Sequence, residues 1–409
     1  MATATSRPRL RPTETIVVTD PREGRLLVLR DRQGIAPGHV AMPVALATVV
    51  GRFTGRRTCE EIARDASAEL REEVPVDAVV RLATELENAM YCEGPRFLQA
   101  LSRAHKDFAD ADVREPSHAG GAYYSAPDEL ASYLDGKCLR VARRKETGRI
   151  VGLIAPHIDP WRGALGYGHA YGALKTALAP EVDTFVLFGT SHAPMREPFA
   201  LCKKAFHTPL GALDADGEAI DALAARATFD PYADQFNHKR EHSLEFQVLF
   251  LKHLLGKRRA RIVPVLAALG EHQARGTDPS RDGAVARFLD GVRQLVEARA
   301  GRVVVIAGAD LAHVGPRFGD PRGHNAKERR TLEDADRGSL GHATGLDADA
   351  FWEDVAGDLE TRRVCGLAPI YSLLRSLPGG VEGRTLHYEQ TIDEEDGSIV
   401  SHAAVGYFG

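Results

Sequence analysis

Residues 149–159 read RIVGLIAPHID, and the interpretation of the chain begins from this stretch. It starts as a short apolar run rich in β-branched residues, and Pro156 ends it, which is typical of a buried strand. His157 and Asp159 follow at once. Because ligands of a parallel sheet bind in the crevice beyond the carboxyl ends of its strands, we expect both side chains to lie at a functional site.

The same pattern occurs twice more. Residues 183–192 read DTFVLFGTSH and residues 302–313 read RVVVIAGADLAH, so that His192 and His313 each follow an apolar run. A single histidine past a strand is more often a packing residue, but three that follow buried strands favour one shared site. Strands and helices alternate from about residue 122 onward, which predicts an α/β fold with a central sheet flanked by helices.

The overall composition excludes several classes of function. The chain has 409 residues, a net charge of -5 and a pI of about 6.4, so it offers no basic field for nucleic acid. We expect no membrane partner, because no apolar stretch is long enough to span a bilayer and residues 1–12 resemble no secretory signal. The five cysteines form no CxxC pair, which favours a reduced, cytoplasmic location.

The first hundred residues predict a small separate domain. Residues 1–13 are expected to be a disordered tail, and residues 15–19 and 25–30 form a β-hairpin. Thr58 and Glu61 have the spacing of a capping box, which opens the first of several short helices. These elements predict a winged-helix α+β domain over residues 14–101, followed by a polar linker over residues 102–121 and by the α/β domain over residues 122–409.

A helix predicted to continue to Leu255 brings polar groups into the interior. It is apolar on two sides and therefore buried, so Glu241, His242 and Glu245 enter the core at its N-terminal end. Buried charge needs a partner or a metal. We favour substrate-facing or orienting roles for these groups, and the alternative is an internal ion pair that holds the helix. Cys365 begins a later helix, where its thiol could have a lowered pKa or simply be packed.

The N-terminal domain resembles the PqqD-like family of peptide-binding winged-helix modules. The resemblance lies in the hairpin that ends in LLVL at residues 26–29, in the phrase GRRTCEEI at residues 55–62 and in the helix that follows. It implies that a leader peptide adds as a strand to the exposed edge of the hairpin. The alternative is a structural appendage or a lid.

The remainder of the chain, from residue 114 to residue 409, resembles the Memo family, whose microbial members are called AmmeMemoRadiSam system protein B. The motifs APHIDPWRGALGYGHAYGALK, FGTSHAP, EHSLEFQVLFL, AGADLAHVGPRFGD, VCGLAPI and YEQTIDEEDGSIVSHAAVGYF occur in the family's order. The resemblance implies a fold like that of class III extradiol dioxygenases, with a non-haem iron site at the strand ends. It also implies that His157 and His192 are metal ligands.

One position departs from the family. Some members carry a metal-ligating cysteine in the third strand-end motif, where this chain has Ala312. The third ligand is then His313, Asp310, a residue of the helix that contains His242, or water. We expect it to be His313, which would complete a site of three histidines.

These observations lead to one hypothesis with two rivals. The first is an oxidoreductase that holds Fe(II), uses His242, Glu245 and Glu241 as catalytic groups, and acts on a peptide or small molecule recruited by the N-terminal domain. Its expected substrate-binding residues are Asp159, Ser191, Asp310 and Cys365. Zinc or copper could occupy the same site. The rivals are a zinc-type hydrolase and a non-enzymatic metal-binding adaptor for a partner such as a radical-SAM enzyme.

Overall fold

The computed structural model describes residues 2–141 and 147–409, which divide into two compact units between Asp110 and Ala111. The first unit has a three-stranded antiparallel sheet in the order β1-β2-β3, covered by helices that share its apolar core. The predicted hairpin is confirmed. The strands and α-helices of the first unit are β1 (Glu14–Asp20), β2 (Gly24–Arg30), β3 (Val40–Pro43), α1 (Ala47–Val50), α2 (Cys59–Leu70), α3 (Val76–Asn88) and α4 (Pro95–Asp110).

Helix α2 begins where its capping residues predict. The Thr58 side chain accepts a hydrogen bond from the backbone of Glu61, and the Glu61 carboxylate accepts one from the backbone of Thr58. Both bonds satisfy amide groups that have no partner inside the helix. The predicted capping box is therefore confirmed.

The segment predicted to be a disordered tail is ordered from residue 2. Arg11 is buried, and its guanidinium lies 2.9 Å from the carboxylate of Asp31 and 4.7 Å from the centre of the Phe97 ring. Leu10 also forms a β-bridge with Cys92. The polar composition of the segment suggested disorder, but a buried ion pair and a backbone bridge attach it to the first unit. Met1 lies outside the described residues.

About half of the predicted linker over residues 102–121 is regular structure. Helix α4 continues through Asp110, and β4 (Val113–Arg114) then pairs with a strand of the second unit. Arg114 is 1% exposed. Its guanidinium donates to the carbonyl oxygens of His238 and Glu241, so Arg114, within the predicted linker, is part of the second unit's core.

The second unit is built on one large sheet. Its strands are β4, β5 (Ile150–Ala155), β6 (Thr184–Thr190), β7 (Phe199–Leu201), β8 (Ala205–Thr208), β9 (Gly211–Ala215), β10 (Arg261–Ala267), β11 (Val303–Gly308), β12 (Asp310–Val314), β13 (Glu382–Ile392) and β14 (Ile399–Phe408). Its helices are α5 (Pro127–Tyr133), α6 (Ala164–Ala177), α7 (Gly217–Ala224), α8 (His242–Leu255), α9 (Gly270–Arg275), α10 (Gly283–Ala298), α11 (Ala326–Thr344), α12 (Ala348–Gly357), α13 (Leu359–Arg362) and α14 (Leu367–Ser376).

The strands follow the order β12-β14-β5-β11-β6-β10-β9-β8-β4, while β13 pairs with β14 and β7 pairs with β10. The central strands β5, β11, β6 and β10 are parallel. Helices cover them, so they are buried almost throughout, which explains their continuous apolar sequences. The predicted α/β fold is confirmed.

Among the described residues, no helix is both long enough and apolar enough to cross a bilayer.

Candidate metal centre

The carboxyl ends of three neighbouring strands bring two histidines together. Strand β11 lies between β5 and β6. His157 comes two residues after the end of β5, and His192 comes two residues after the end of β6. Strand β11 ends at Gly308, where a Cβ atom would lie 2.3 Å from the backbone oxygen of Ser243. Only glycine therefore allows α8 to lie so close to this edge. The two imidazole centres are 5.1 Å apart.

Backbone groups and a carboxylate fix His157. Its Nδ1 lies 2.9 Å from the carbonyl oxygen of Gly308, and its backbone N–H donates to the carboxylate of Asp310 over 2.8 Å. The carbonyl can only accept, so Nδ1 carries a proton and Nε2 is the nitrogen that could face a metal ion. That nitrogen lies 3.2 Å from Sγ of Cys365.

Glu241 fixes His192 in the same manner. One carboxylate oxygen lies 3.0 Å from Nδ1 of His192, and the other accepts the backbone N–H of His192 over 2.9 Å. Glu241 also caps α8 by accepting the backbone N–H of Ser243. A metal-ligating histidine almost always uses its second nitrogen in such a hydrogen bond, because this orients the ring and sets its tautomer.

Cys365 completes the cluster from the segment before α14. Its position depends on Gly366, whose backbone N–H donates to the carbonyl oxygen of Asp310 and where a Cβ atom would lie 2.3 Å from that oxygen. One ligand atom each from His157, His192 and Cys365 lie within 4.8 Å of one another. The sequence suggested a substrate-binding role for Cys365, whereas the structure places its sulfur among potential metal ligands.

Electrostatics favour a thiolate at this position. Burial opposes the charged form of each group, but the charges of Cys365 and Asp310 outweigh it and raise the pKa of His157 to about 10. Burial likewise opposes the Cys365 thiolate, yet His157 lowers the pKa of the thiol to about 5. Beside Glu241, the pKa of His192 rises to about 9 despite its burial. Two imidazolium rings and an anionic sulfur are thus held in one crevice, and a metal ion that binds there would replace the protons on the free ring nitrogens.

His242 borders this crevice at the start of α8. Its ring lies 4.5 Å from that of His192 and 5.3 Å from that of His157. Burial and the nearby positive charge of His192 hold the pKa of His242 well below its ordinary value. His242 is therefore neutral at neutral pH and keeps a lone pair on its ring. Together with His192 and Glu241 it forms a second group of potential ligands.

Comparison with known proteins identifies the second unit. The family model described as "Memo-like protein" matches residues 114–407. The chain belongs to the Memo family. A MEMO1 family protein of Aquifex aeolicus is 26% identical over 387 residues, covering 94% of this chain and 96% of that protein. One from Thermus thermophilus is 30% identical over 292 residues and covers 70% of this chain and 79% of that protein.

A solved structure also matches the chain. It is described as an uncharacterized protein of Escherichia coli K12, with 12% identity and a TM-score of 0.37, and it covers 64% of this chain and all of that one. The similarity to the Aquifex protein is longer than the family model's match, so it extends into the first unit.

Within the Memo unit, Glu245 has a different place from the one its sequence suggested. It is 1% exposed and lies 2.5 Å from the guanidinium of Arg114. It also accepts hydrogen bonds from Tyr123 and from the backbone N–H groups of Ser117 and His118. Glu245 thus forms the internal ion pair that was the alternative interpretation, and it anchors the segment before α5.

Sequence reasoning missed one further group, His118. Its Nδ1 lies 3.1 Å from the Glu245 carboxylate, and its ring centre is 5.5 Å from that of His242. The segment around it was predicted to be a linker, so no signal in the sequence indicated that His118 lies close to the crevice. The Memo site therefore contains a fourth imidazole beside those of His157, His192 and His242.

The position expected for the third ligand requires a correction. Strand β12 pairs antiparallel with β14, and alternation turns Ala312 into an apolar cluster with Val314. His313 instead places its Nδ1 3.1 Å from the carbonyl oxygen of Leu311 and its ring edge-on to Phe318. Among the described residues, the groups with three ligand atoms in reach of one another do not include His313.

The remaining predicted substrate-binding residues have mixed positions. Asp310 lies against His157 and is buried. Asp159 pairs with Arg162, and the Ser191 hydroxyl donates to the carbonyl oxygen of Ala193. The polar groups of Asp159 and Ser191 are therefore occupied by local contacts, whereas Asp310 is buried directly beside His157.

Proposed function

We propose that the Memo unit is a non-haem iron oxidoreductase, with Fe(II) held by His157, His192 and Cys365. The observation that carries this proposal is the convergence of their three ligand atoms within 4.8 Å, with the second nitrogen of each histidine already hydrogen-bonded. Non-haem iron(II) oxygenases use two imidazoles and one anionic group and leave open positions. Here the anion would be the Cys365 thiolate in place of a carboxylate.

The chemistry of the donor set is compatible with iron. A neutral imidazole suits iron, zinc and copper, and a thiolate is a soft ligand whose pKa must be low for it to bind a metal. The pKa of Cys365, about 5, meets that condition. When bound, Fe(II) would supply redox chemistry with dioxygen.

Other residues of the crevice would handle protons and orient the substrate. Neutral His242 is adjacent to both ligand histidines and would accept a proton from a bound substrate. His118 borders the same space, and Glu245 fixes its Nδ1. The crevice thus offers two imidazoles for proton transfer that are not needed as ligands.

We further propose that the first unit recruits the substrate as a peptide. Strand β1 is an outer strand of its sheet, with Val17 48% and Val18 38% exposed. Unpaired backbone groups on an outer strand can bind an extended peptide through main-chain hydrogen bonds.

Cobalt substitution tests the ligand set directly. Tag-free protein titrated with Co(II) should develop a thiolate-to-metal charge-transfer band, which Cys365→Ser should abolish. Cys202→Ser is the matched control, because Cys202 is a fully buried cysteine of the same unit and should leave the band unchanged. A wild-type spectrum without the band would exclude Cys365 as a ligand.

Oxygen uptake tests the reaction class. Protein loaded anaerobically with Fe(II) should consume dioxygen in the presence of peptides encoded beside the gene, and His242→Gln should slow consumption while retaining bound metal. Hydrolysis of the same peptides with zinc would contradict the oxidoreductase and favour a hydrolase. Tight peptide binding with no turnover under either metal would favour an adaptor.

A further inference from the structure

The backbone around His157 lies beyond the end of its strand and needs hydrogen-bond partners of another kind. Ala155 is the last residue of β5 that pairs with a neighbouring strand. Pro156 follows, and proline has no N–H with which to continue a ladder. His157 and Ile158 are nevertheless buried. Because buried backbone groups are almost always hydrogen-bonded, side chains must take the place of a strand over residues 156–158.

Two buried side chains, one from α8 and one from α6, hold the residues on either side of His157. The Nε2 group of Gln247 on α8 donates to the carbonyl oxygen of Pro156 over 2.9 Å. The hydroxyl of Tyr167 on α6 donates to the carbonyl oxygen of Ile158 over 2.9 Å. His157 is thus fixed through both of its neighbours in sequence.

Only one orientation of the Gln247 amide satisfies all its neighbours. Its Nε2 also donates to the carbonyl oxygen of Ser243 over 3.0 Å, and its Oε1 accepts the Tyr171 hydroxyl over 2.8 Å. The reverse orientation would place Oε1 against two carbonyl oxygens, which cannot donate. Gln247 is fully buried, so no water would replace a lost bond. The amide therefore has one favourable position, and that position holds the carbonyl group of Pro156.

Packing holds Tyr167 just as firmly. The residue is fully buried, and its ring stacks on that of Phe250 of α8 with the centres 4.4 Å apart. A Cβ atom at Gly163 would lie 3.2 Å from the Tyr167 ring and 2.5 Å from the Ile158 side chain. Glycine at this position therefore lets the ring and the loop pack together, and the contacts on both sides keep the hydroxyl at the Ile158 carbonyl.

We propose that Gln247 and Tyr167 are positioning residues for His157, a role that rests on the proposed function of the crevice. The N–H of His157 donates to Asp310, and its Nδ1 lies 2.9 Å from the carbonyl oxygen of Gly308. These two contacts can direct Nε2 toward a metal ion only while the peptide units on either side of His157 stay in place. Gln247 and Tyr167 hold those units and so act on the metal ion through His157.

Removal of a single hydroxyl tests the role of Tyr167. Tyr167→Phe should lower the Co(II) affinity of the full, tag-free chain by about 10-fold, the lower end of the effect of removing a hydrogen-bond partner of a ligand. Gln247→Met, which keeps the length of the side chain but removes its donors, should have the same effect. Tyr407→Phe is the matched control, because Tyr407 is also fully buried in this unit and its hydroxyl donates to the carbonyl oxygen of Ala343 on α11. The control should keep the wild-type affinity.

A second measurement needs no metal. In metal-free protein, the rate at which the backbone N–H of His157 exchanges with deuterium is divided by the rate for Leu153 inside β5. This ratio should rise several-fold in Tyr167→Phe and in Gln247→Met and remain unchanged in Tyr407→Phe. Because both amides belong to the same molecule, the ratio reports local opening and not a change in global stability.

The outcomes separate this role from the proposed function. If the wild type binds Co(II) and both variants keep its affinity, neither Gln247 nor Tyr167 positions His157 for a metal. If the wild type lacks the charge-transfer band, the proposed ligand set is wrong, and an exchange ratio that both variants leave unchanged would overturn the positioning role as well. An equal loss of affinity in Tyr407→Phe and Tyr167→Phe would show that general destabilisation is the cause.

Discussion

Glu241 uses both carboxylate oxygens on one residue, the proposed ligand His192. Glu241→Gln replaces one of these two oxygens by an NH2 group, which cannot accept, so one of the two N–H groups loses its partner. Loss of such an orienting partner usually lowers metal affinity by about 10- to 100-fold. We expect a decrease of this size in Co(II) affinity, measured by competition with a chelator. Glu115→Gln, which alters a surface carboxylate beside His207, should have no effect.

His238 should make stability depend on pH. It is fully buried, Nε2 donates to the carbonyl oxygen of Ala200, and burial lowers its pKa from 6.5 to about 4. The unfolded chain therefore binds the proton more readily than the folded one. The resulting stability is complete above about pH 6.5 and is lost as the pH falls toward about 4, and it amounts to about 3 kcal/mol at most.

The substitution His238→Phe tests whether stability decreases with falling pH as predicted. The free energy of unfolding in urea, measured across this pH range, should decrease less steeply with acid in His238→Phe than in the wild type. Because the slopes are compared, a change in absolute stability does not affect the test. Equal slopes in His238→Phe and the wild type would contradict the assignment.

At the scale of elements, the approach of α8 to β11 depends on Gly308. A Cβ atom there would collide with the backbone of Ser243, which cannot move without moving the helix that carries Glu241 and His242. Overpacking typically costs about 1–3 kcal/mol. Gly308→Ala should lower the free energy of unfolding by at least this amount and reduce metal binding.

A glycine in an open helix position gives the opposite result. Gly338 lies inside α11, and a Cβ atom there would meet nothing within 4 Å. Gly338→Ala should therefore stabilise the protein by about 1 kcal/mol, because alanine loses less conformational freedom in a helix. If Gly308→Ala and Gly338→Ala changed the free energy of unfolding equally, the close approach of α8 at Gly308 would not be the cause of the destabilisation.

The outer strand β1 gives a second prediction at this scale. If a peptide pairs with it, lysines in place of Val17 and Val18 should weaken binding, because charged side chains on an edge strand disfavour the addition of another strand. Fluorescence titration with peptides encoded beside the gene measures the affinity. Leu70→Lys changes another exposed apolar residue, on α2, and should leave the affinity unchanged.

For the whole molecule, the division at residue 110 predicts that each unit folds alone. The first unit has its own core, formed around residues such as Phe53, Ile62 and Leu86. Residues 1–110 should unfold cooperatively as a fragment, and residues 111–409 should retain the Co(II) charge-transfer band. A fragment 1–110 without a cooperative thermal transition would show that the unit needs the rest of the chain.

Features that depend on residues adjacent in sequence could be predicted, whereas features that depend on contacts between distant residues could not. Strands β5, β6 and β11 were predictable because apolar β-branched runs are local, and the positions of His157 and His192 follow from where those runs end. Cys365 was not predictable as a neighbour of His157, because Gly366 sets its position against a carbonyl group 56 residues away in sequence. His313 was misplaced because pairing of β12 with β14 cannot be read from β12 alone.

Strand β14 has a consequence for synthesis of the protein on the ribosome. It comes last among the strands, yet it lies inside the sheet, with β13 along one side and β12 and β5 along the other, and all ten of its residues are buried. While it remains in the exit tunnel, β5 lacks its neighbour and Asp310 has no strand opposite it. The nascent chain therefore carries an incomplete sheet until β14 has been made and has emerged from the tunnel. A chaperone that shields exposed strand edges should bind these translation intermediates and release the chain once β14 emerges.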